Sequence, residues 1–182
     1  MSGLLDLLAK FLEHAFSWLP RPEMVPRTQA LIRWTFKKAP VNLHGIVWII
    51  PLFHAYEKID LRAEACEFEP KVLWTKDGHE AAVGMTVIWK VSDPLLLCET
   101  VDDIDNLVSK IGEAVLPELV GKWPLADLKR KATGGEEREW GFDTHLKRAL
   151  ETILNPYGIT VELARLNFTS DRVRTFKLIS SS

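Results

Sequence analysis

Apolar residues change their spacing twice along this chain. From Ser2 to Leu19 the polar residues Asp6, Lys10, Glu13, His14 and Ser17 fall at i, i+4, i+7, i+8 and i+11, one stripe on a helix whose remaining surface is apolar. Pro20 and Pro22 end it. From Ala30 onward the spacing is that of strands. Ala30, Ile32, Trp34 and Phe36 share one face, and Arg33, Thr35 and Lys37 lie mostly on the other. Gly45 to Phe53 is a nearly unbroken apolar run, too short to span a membrane as a helix. It reads as a buried strand or, alternatively, as a second segment dipping into a membrane interface. Tyr56 to Phe68 continues as an extended strand. Val72-Leu73-Trp74 and His79 to Val91 flank Lys76-Asp77-Gly78, a strong hairpin signal. In the second arm Ala81, Val83, Met85, Val87, Trp89 and Val91 share a face, and Asp93-Pro94 stops it.

Helical spacing then takes over. Thr100-Val101-Asp102-Asp103 has the form of a weak capping box ahead of Ile104, Leu107, Val108, Ile111, Ala114 and Val115. Pro117 is expected to end or kink that helix. A short helix is expected over Pro124 to Lys131, then a break at Thr133-Gly134-Gly135. Asp143 is placed to cap a helix carrying Leu146, Ala149, Leu150, Ile153 and Leu154. Asn155-Pro156-Tyr157-Gly158 stops it, and Ile159 to Phe168 reads as a last strand. Strands, then helices, then a strand make an α+β fold: an antiparallel, strand-rich N-terminal half with helices packed on it, preceded by an amphipathic N-terminal helix.

The first segment has two readings. As a helix it is roughly 27 Å long at 1.5 Å per residue, slightly short of the ~30 Å hydrocarbon core. It also carries charges that cost about 2.5–3.5 kcal/mol each at the bilayer centre. A signal peptide is disfavoured, because there is no basic start and Asp6 interrupts the apolar stretch. The favoured reading is a helix lying in the membrane interface, with Leu4, Leu5, Leu8, Phe11, Leu12, Phe16, Trp18 and Leu19 toward lipid and Trp48 and Ile49 joining them. The alternative packs this face on the domain or on a neighbouring subunit. Between Pro20 and Asn42, five cations (Arg21, Arg27, Arg33, Lys37, Lys38) oppose one anion (Glu23), a local net charge of +4. Of these, Arg21, Arg27, Lys37 and Lys38 are the candidates for lipid headgroups; an ordinary solvated face accounts for them equally well.

Composition narrows the remaining classes. The chain has 182 residues, of which 47% are hydrophobic and 26% charged, enough for a real core. A net charge of -2 gives no global argument for nucleic acid. Two cysteines, Cys66 and Cys98, make no disulfide framework. Five scattered histidines show no ligand spacing, so no metal site, cofactor or catalytic centre is expected. Cys98 reads as a small core residue rather than a nucleophile. Glu57, Asp60, Glu64, Glu67 and Glu69 read as an acidic strand face. Asp60 and Arg62, two apart on a strand, share a face and are candidates for an assembly contact, either a register-fixing ion pair within the sheet or one to a neighbouring subunit.

Five short motifs appear in order: Gly45 to Pro51, Lys58-Ile59-Asp60-Leu61-Arg62, Thr75-Lys76-Asp77-Gly78, Trp89-Lys90-Val91-Ser92-Asp93-Pro94 and Tyr157-Gly158-Ile159-Thr160-Val161. Together they make residues 28 to 178 resemble the stomatin/prohibitin/flotillin (SPFH, band 7) domain. The resemblance implies a non-enzymatic scaffold on the cytoplasmic face of a membrane, monotopic or peripheral. It implies self-association into a homo-oligomeric ring or cage, contact with membrane lipid, and partners among integral membrane proteins or proteases. The expected organisation is an interface helix over 1–19, a Pro-rich linker over 20–27, the domain over 28–179 and a tail over 180–182. The family's usual C-terminal coiled coil is not matched; only Ser170 to Ile179 offers a helix start. The alternative function is a soluble structural subunit of a larger assembly, viral ones included, with the N-terminal helix buried against partners.

Overall fold

The computed structural model describes residues 19–35, 38–51, 53–130 and 141–171. The chain divides into two compact units, Met1–Arg62 with Asp93–Glu99, and Ala63–Ser92 with Thr100–Ser182. The α+β reading holds, and the sheets are antiparallel. The amphipathic N-terminal helix, together with Phe36, Lys37 and Thr133-Gly134-Gly135, lies outside the described residues.

In the first unit, β1 (Arg21–Val25) pairs with β4 (Gly45–Ile49) as a two-stranded ribbon. β2 (Gln29–Thr35) lies between β3 (Lys38–Leu43) and β5 (His54–Asp60). Residues 21–25, expected as part of a linker, are therefore a strand; Pro22 is tolerated because a two-stranded ribbon consists only of edges. The run from Gly45 to Phe53 is not one buried strand either. It ends at Ile49, alternates between exposed and buried, and turns at Pro51, where the Ile50 carbonyl accepts from the Phe53 and His54 amides at 3.0 Å. Only one ribbon face is covered: Val25, Val47 and Ile49 pack with Leu31 and Leu43. Leu31 is thus buried on the face assigned to polar residues, and β2 is covered on both sides, with Ala30 and Ile32 buried on the other. α1 (Pro94–Thr100) also belongs here apart from its last residue. It escapes the sequence pattern, yet its start has a clear cause. The Asp93 carboxylate accepts from the Leu95 and Leu96 amides at 3.1 and 3.2 Å, with Pro94 at the first helical position.

The strand expected from Tyr56 to Phe68 is two strands. β5 ends at Asp60, and β6 (Glu64–Trp74) begins the second unit. Asp60 takes the Arg62 amide at 2.9 Å, an Asx-type turn that breaks the extension.

The second unit is a three-stranded sheet in the order β6-β7-β8, with β7 spanning Glu80–Val91 and β8 Ile159–Asp171. All six β7 residues expected on one face are buried. The hairpin closes as expected: Gly78 sits at φ 73° and donates to the Thr75 carbonyl at 2.9 Å, and the Thr75 amide donates to His79 at 2.9 Å. β6 bulges between Phe68 and Lys71, and Gly84 on β7 faces that bulge with no room for a side chain, since a Cβ would lie 2.6 Å from the Phe68 carbonyl oxygen. α2 (Ile104–Val120) is capped by Asp103, which accepts from the Asn106 amide at 3.0 Å, and not by Thr100. It runs on through Pro117, which lacks the amide that would donate to the carbonyl of Glu113, an exposed position. Its buried residues are Val108, Gly112, Val115, Leu116 and Val120, while Ala114 is exposed. α3 (Leu125–Arg130) starts where Asp77 of the hairpin accepts from the Leu125 amide at 3.1 Å. α4 (Gly141–Leu154) buries Phe142, Leu146, Leu150 and Leu154, and Ile153 is exposed instead of buried. Asp143 is inside the first turn, where its carboxylate accepts from the Leu166 amide of β8 at 3.1 Å. β8 runs to Asp171, so Ser170 is still strand, and the rest of the stretch to Ile179 lies outside the described residues.

Candidate functional site

The ribbon's register decides which apolar residues reach the surface. Pro22 faces Trp48 and Met24 faces Ile46, while Glu23 faces Val47 and Arg21 faces Ile49. Side chains alternate along a strand, so the first two pairs share the outer face. There Met24 is 73%, Ile46 69% and Trp48 60% exposed. Leu19, two residues before β1, and Phe53, directly before β5, are exposed as well. Ile49, expected beside Trp48 as a lipid contact, turns inward and is 3% exposed, because adjacent residues on a strand point to opposite faces. Met24 and Ile46 were missed. The signal was present as the alternation on either side of Val47, hidden by the absence of any polar residue in the run.

The ribbon is fastened to the sheet beneath it. Besides the apolar core, Lys58 of β5 pairs with Glu23 of β1, and this hydrogen bond holds the Lys58 ammonium charged above its ordinary range. Arg33 of β2 donates to the Trp48 carbonyl at 3.5 Å, and its Nε is buried with no partner among the described residues. His54 closes the turn after β4: its Nδ1 accepts from the Ile50 amide at 3.1 Å. Burial and then the Arg33 charge hold this imidazole below its ordinary 6.5.

Of the headgroup candidates, Arg21, Arg27 and Lys38 are exposed on this unit, and Lys37 lies outside the described residues. Leu4, Leu5, Leu8, Phe11, Leu12, Phe16 and Trp18 also lie outside them. Asp60 and Arg62 meet within one chain. Arg62 Nε lies 3.0 Å from both Asp60 oxygens, and these hydrogen bonds hold the carboxyl down at about 2. The acidic row divides between the two units, with Glu57 on β5 and Glu64, Glu67 and Glu69 on β6.

The remaining side chains offer little chemistry. Cys98 is half-buried with its thiol 3.8 Å from a Glu57 oxygen; burial first, then the Glu57 charge, pushes it up to about 11. Burial also raises Cys66. Such thiols stay protonated and are poor nucleophiles at neutral pH. Among the described residues no group of His, Cys, Asp and Glu is placed to hold a metal ion, and no helix is long and apolar enough to cross a membrane. A second apolar pair, Val72 and Trp74, is exposed on β6.

A strand-rich antiparallel unit with an exposed apolar ribbon, joined to a sheet carrying helices, defines a class. Residues 24–170 match the model of the SPFH domain / Band 7 family, and the chain belongs to that family. It is similar to human stomatin-like protein 1, at 25% identity over 123 residues, 62% of this chain and 31% of that protein. Mechanosensory protein 2 of Caenorhabditis elegans is 25% identical over 118 residues, 65% of this chain and 23% of the relative. A stomatin homologue of Pyrococcus horikoshii is 26% identical over 117 residues, 64% of this chain and 41% of the relative. The chain thus spans from under a quarter to about two-fifths of the length of these relatives. Members of this family are, at family level, membrane-associated scaffolds, generally without enzymatic activity.

Proposed function

We propose that this chain is a non-enzymatic, membrane-surface scaffold that docks through the outer face of the β1–β4 ribbon. It self-associates on the cytoplasmic face and organises lipid or neighbouring membrane proteins. The observation that carries the reading is the ladder of Met24, Ile46 and Trp48, exposed on a ribbon whose other face is packed and ion-paired to its own sheet. Water-facing apolar side chains on a rigid support, with Arg21, Arg27 and Lys38 exposed on the same unit, suit an interface of acyl chains below and anionic headgroups around. Burying most of one such side chain is worth about 1–2 kcal/mol, so three supply roughly 3–6 kcal/mol. The N-terminal segment, read as an interface helix, adds to this.

Vesicle flotation of the parent and of a Met24→Ser, Ile46→Ser, Trp48→Ser variant tests the docking. The variant is expected to lose at least about a hundredfold in partitioning, at 1.4 kcal/mol per tenfold. Equal flotation of both overturns ribbon docking and leaves the apolar face as a contact for other subunits of a soluble assembly.

A further inference from the structure

Arg33 and His54 lie beside this ribbon with hydrogen-bonding capacity that their own chain leaves unused. In the β2–β5 ladder Arg33 faces Tyr56 and Thr35 faces His54, so Arg33 and His54 are diagonal neighbours on one face, a relation that spans about 7–8 Å or somewhat less between Cβ atoms. The guanidinium makes one long bond, to the Trp48 carbonyl, and its Nε is buried without a partner among the described residues. A part-buried cation without an anion costs free energy that a bound anion recovers. The imidazole is already oriented. Nδ1 accepts the Ile50 amide, so neutral His54 carries its proton on Nε2, a donor with no partner among the described residues.

The carboxylates on the strands of this unit have other neighbours. Glu23 pairs with Lys58, Asp60 with Arg62, and Glu57 is beside Cys98 on the opposite face of β5. The other charged or titratable groups around the pair are Tyr56 on β5, Lys38 on β3, which is opposite Thr35, and Lys58, the second diagonal neighbour of Arg33, whose ammonium is paired with Glu23.

We infer that Arg33 and His54 form a phosphate-binding pair at the edge of the ribbon, taking the phosphate monoester of an anionic lipid headgroup. The Arg33 guanidinium and His54 Nε2–H donate to phosphate oxygens, and a guanidinium fork matches that geometry where an ammonium does not. Trp48, whose carbonyl Arg33 holds, places its ring on the outer face, where acyl chains would lie. The lipid source rests on the membrane reading above; the phosphate chemistry does not. His54 reports occupancy. In the free protein its neutral form is favoured, and an anion at the pair reverses this.

The test follows the His54 ring by NMR against pH in phosphate-free buffer and with inorganic phosphate, alongside flotation on phosphatidylcholine vesicles with and without phosphatidic acid. Phosphate is expected to move the His54 midpoint from below 6.5 to above it. Arg33→Gln is expected to abolish that movement and Arg33→Lys to restore it only in part; the backbone amide spectrum verifies that each variant is folded. Phosphatidic acid is expected to strengthen vesicle binding at least tenfold in the parent and much less in Arg33→Gln. An unmoved His54 at saturating phosphate overturns the site. A phosphate-driven movement with lipid binding indifferent to Arg33 overturns the lipid source and assigns the pair to free phosphate. Failure of either vesicle type to bind, with the phosphate effect intact, overturns ribbon docking and leaves the site standing.

Discussion

Replacing Gly84 with alanine tests the packing that holds the second unit together. The new Cβ would lie 2.6 Å from the Phe68 carbonyl oxygen and 3.4 Å from the Pro70 nitrogen, all backbone. Optimal non-bonded separation is about 3.5–4.0 Å, so the first contact is too short by roughly an ångström. Neither side can yield by rotating a side chain, because Phe68 is held in the β6–β7 ladder at the edge of its bulge. Overpacking of this kind costs about 1–3 kcal/mol. Gly112 provides the internal comparison. A Cβ there meets the Phe68 ring at 2.4 Å and the Met85 methyl at 2.5 Å, side-chain atoms that can move. The same substitution in a helix also recovers roughly 0.8–1.0 kcal/mol of propensity. Gly84→Ala is therefore expected to cost more than Gly112→Ala. Urea titration followed through amide exchange of β7 and β8 measures both, and with a slope near 1–3 kcal/mol/M the Gly84 midpoint should fall by about 1 M. A Gly84→Ala midpoint equal to the parent's, or above that of Gly112→Ala, would refute the bulge argument.

Other substitutions probe separate links. Trp48→Ser should leave folding intact and weaken vesicle binding, whereas Ile49→Ser should destabilise the first unit by about 2–5 kcal/mol, as measured by denaturation. Asp77→Ala removes the acceptor of the Leu125 amide and should cost about 1 kcal/mol, visible as faster exchange at the start of α3. Arg62→Ala should raise the Asp60 carboxyl from about 2 toward its ordinary 3.8 in a carbon-detected titration. Because the folded value is the lower one, the parent's stabilisation from this pair is present above 3.8 and is lost as pH falls toward 2. Cys98, held up at about 11, should alkylate much more slowly than a free thiol at pH 8.

How far the sequence carried depends on what each element needed. β7 was legible because both neighbours and one covered face enforce a clean alternation, and the Asp77-Gly78 hairpin because Gly78 supplies a positive φ. β4 was not, since its exposed residues are as apolar as its buried ones. That is where the candidate site lies: of the two residues expected toward lipid, Trp48 is exposed and Ile49 buried, and Met24 and Ile46 went unseen. The break after Asp60 was hidden because one carboxylate turning back on Arg62 leaves no glycine or proline to mark it. α1 was missed because Asp93-Pro94 reads as a stop for the strand before it and equally well as a start for the helix after it. Arg33 and His54 are 21 positions apart, and only the β2–β5 register brings them to one face.

The central claim is that the outer ribbon face enters a bilayer interface. A nitroxide on Ile46→Cys, in a chain with Cys66 and Cys98 replaced by serine, reports this directly, with a label at exposed Glu67 as reference. On vesicles, the label at position 46 is predicted to lose access to an aqueous relaxant and gain access to oxygen, while the label at 67 does not change. Vesicle-bound protein whose label at 46 stays as open to the aqueous relaxant as in solution would contradict the account.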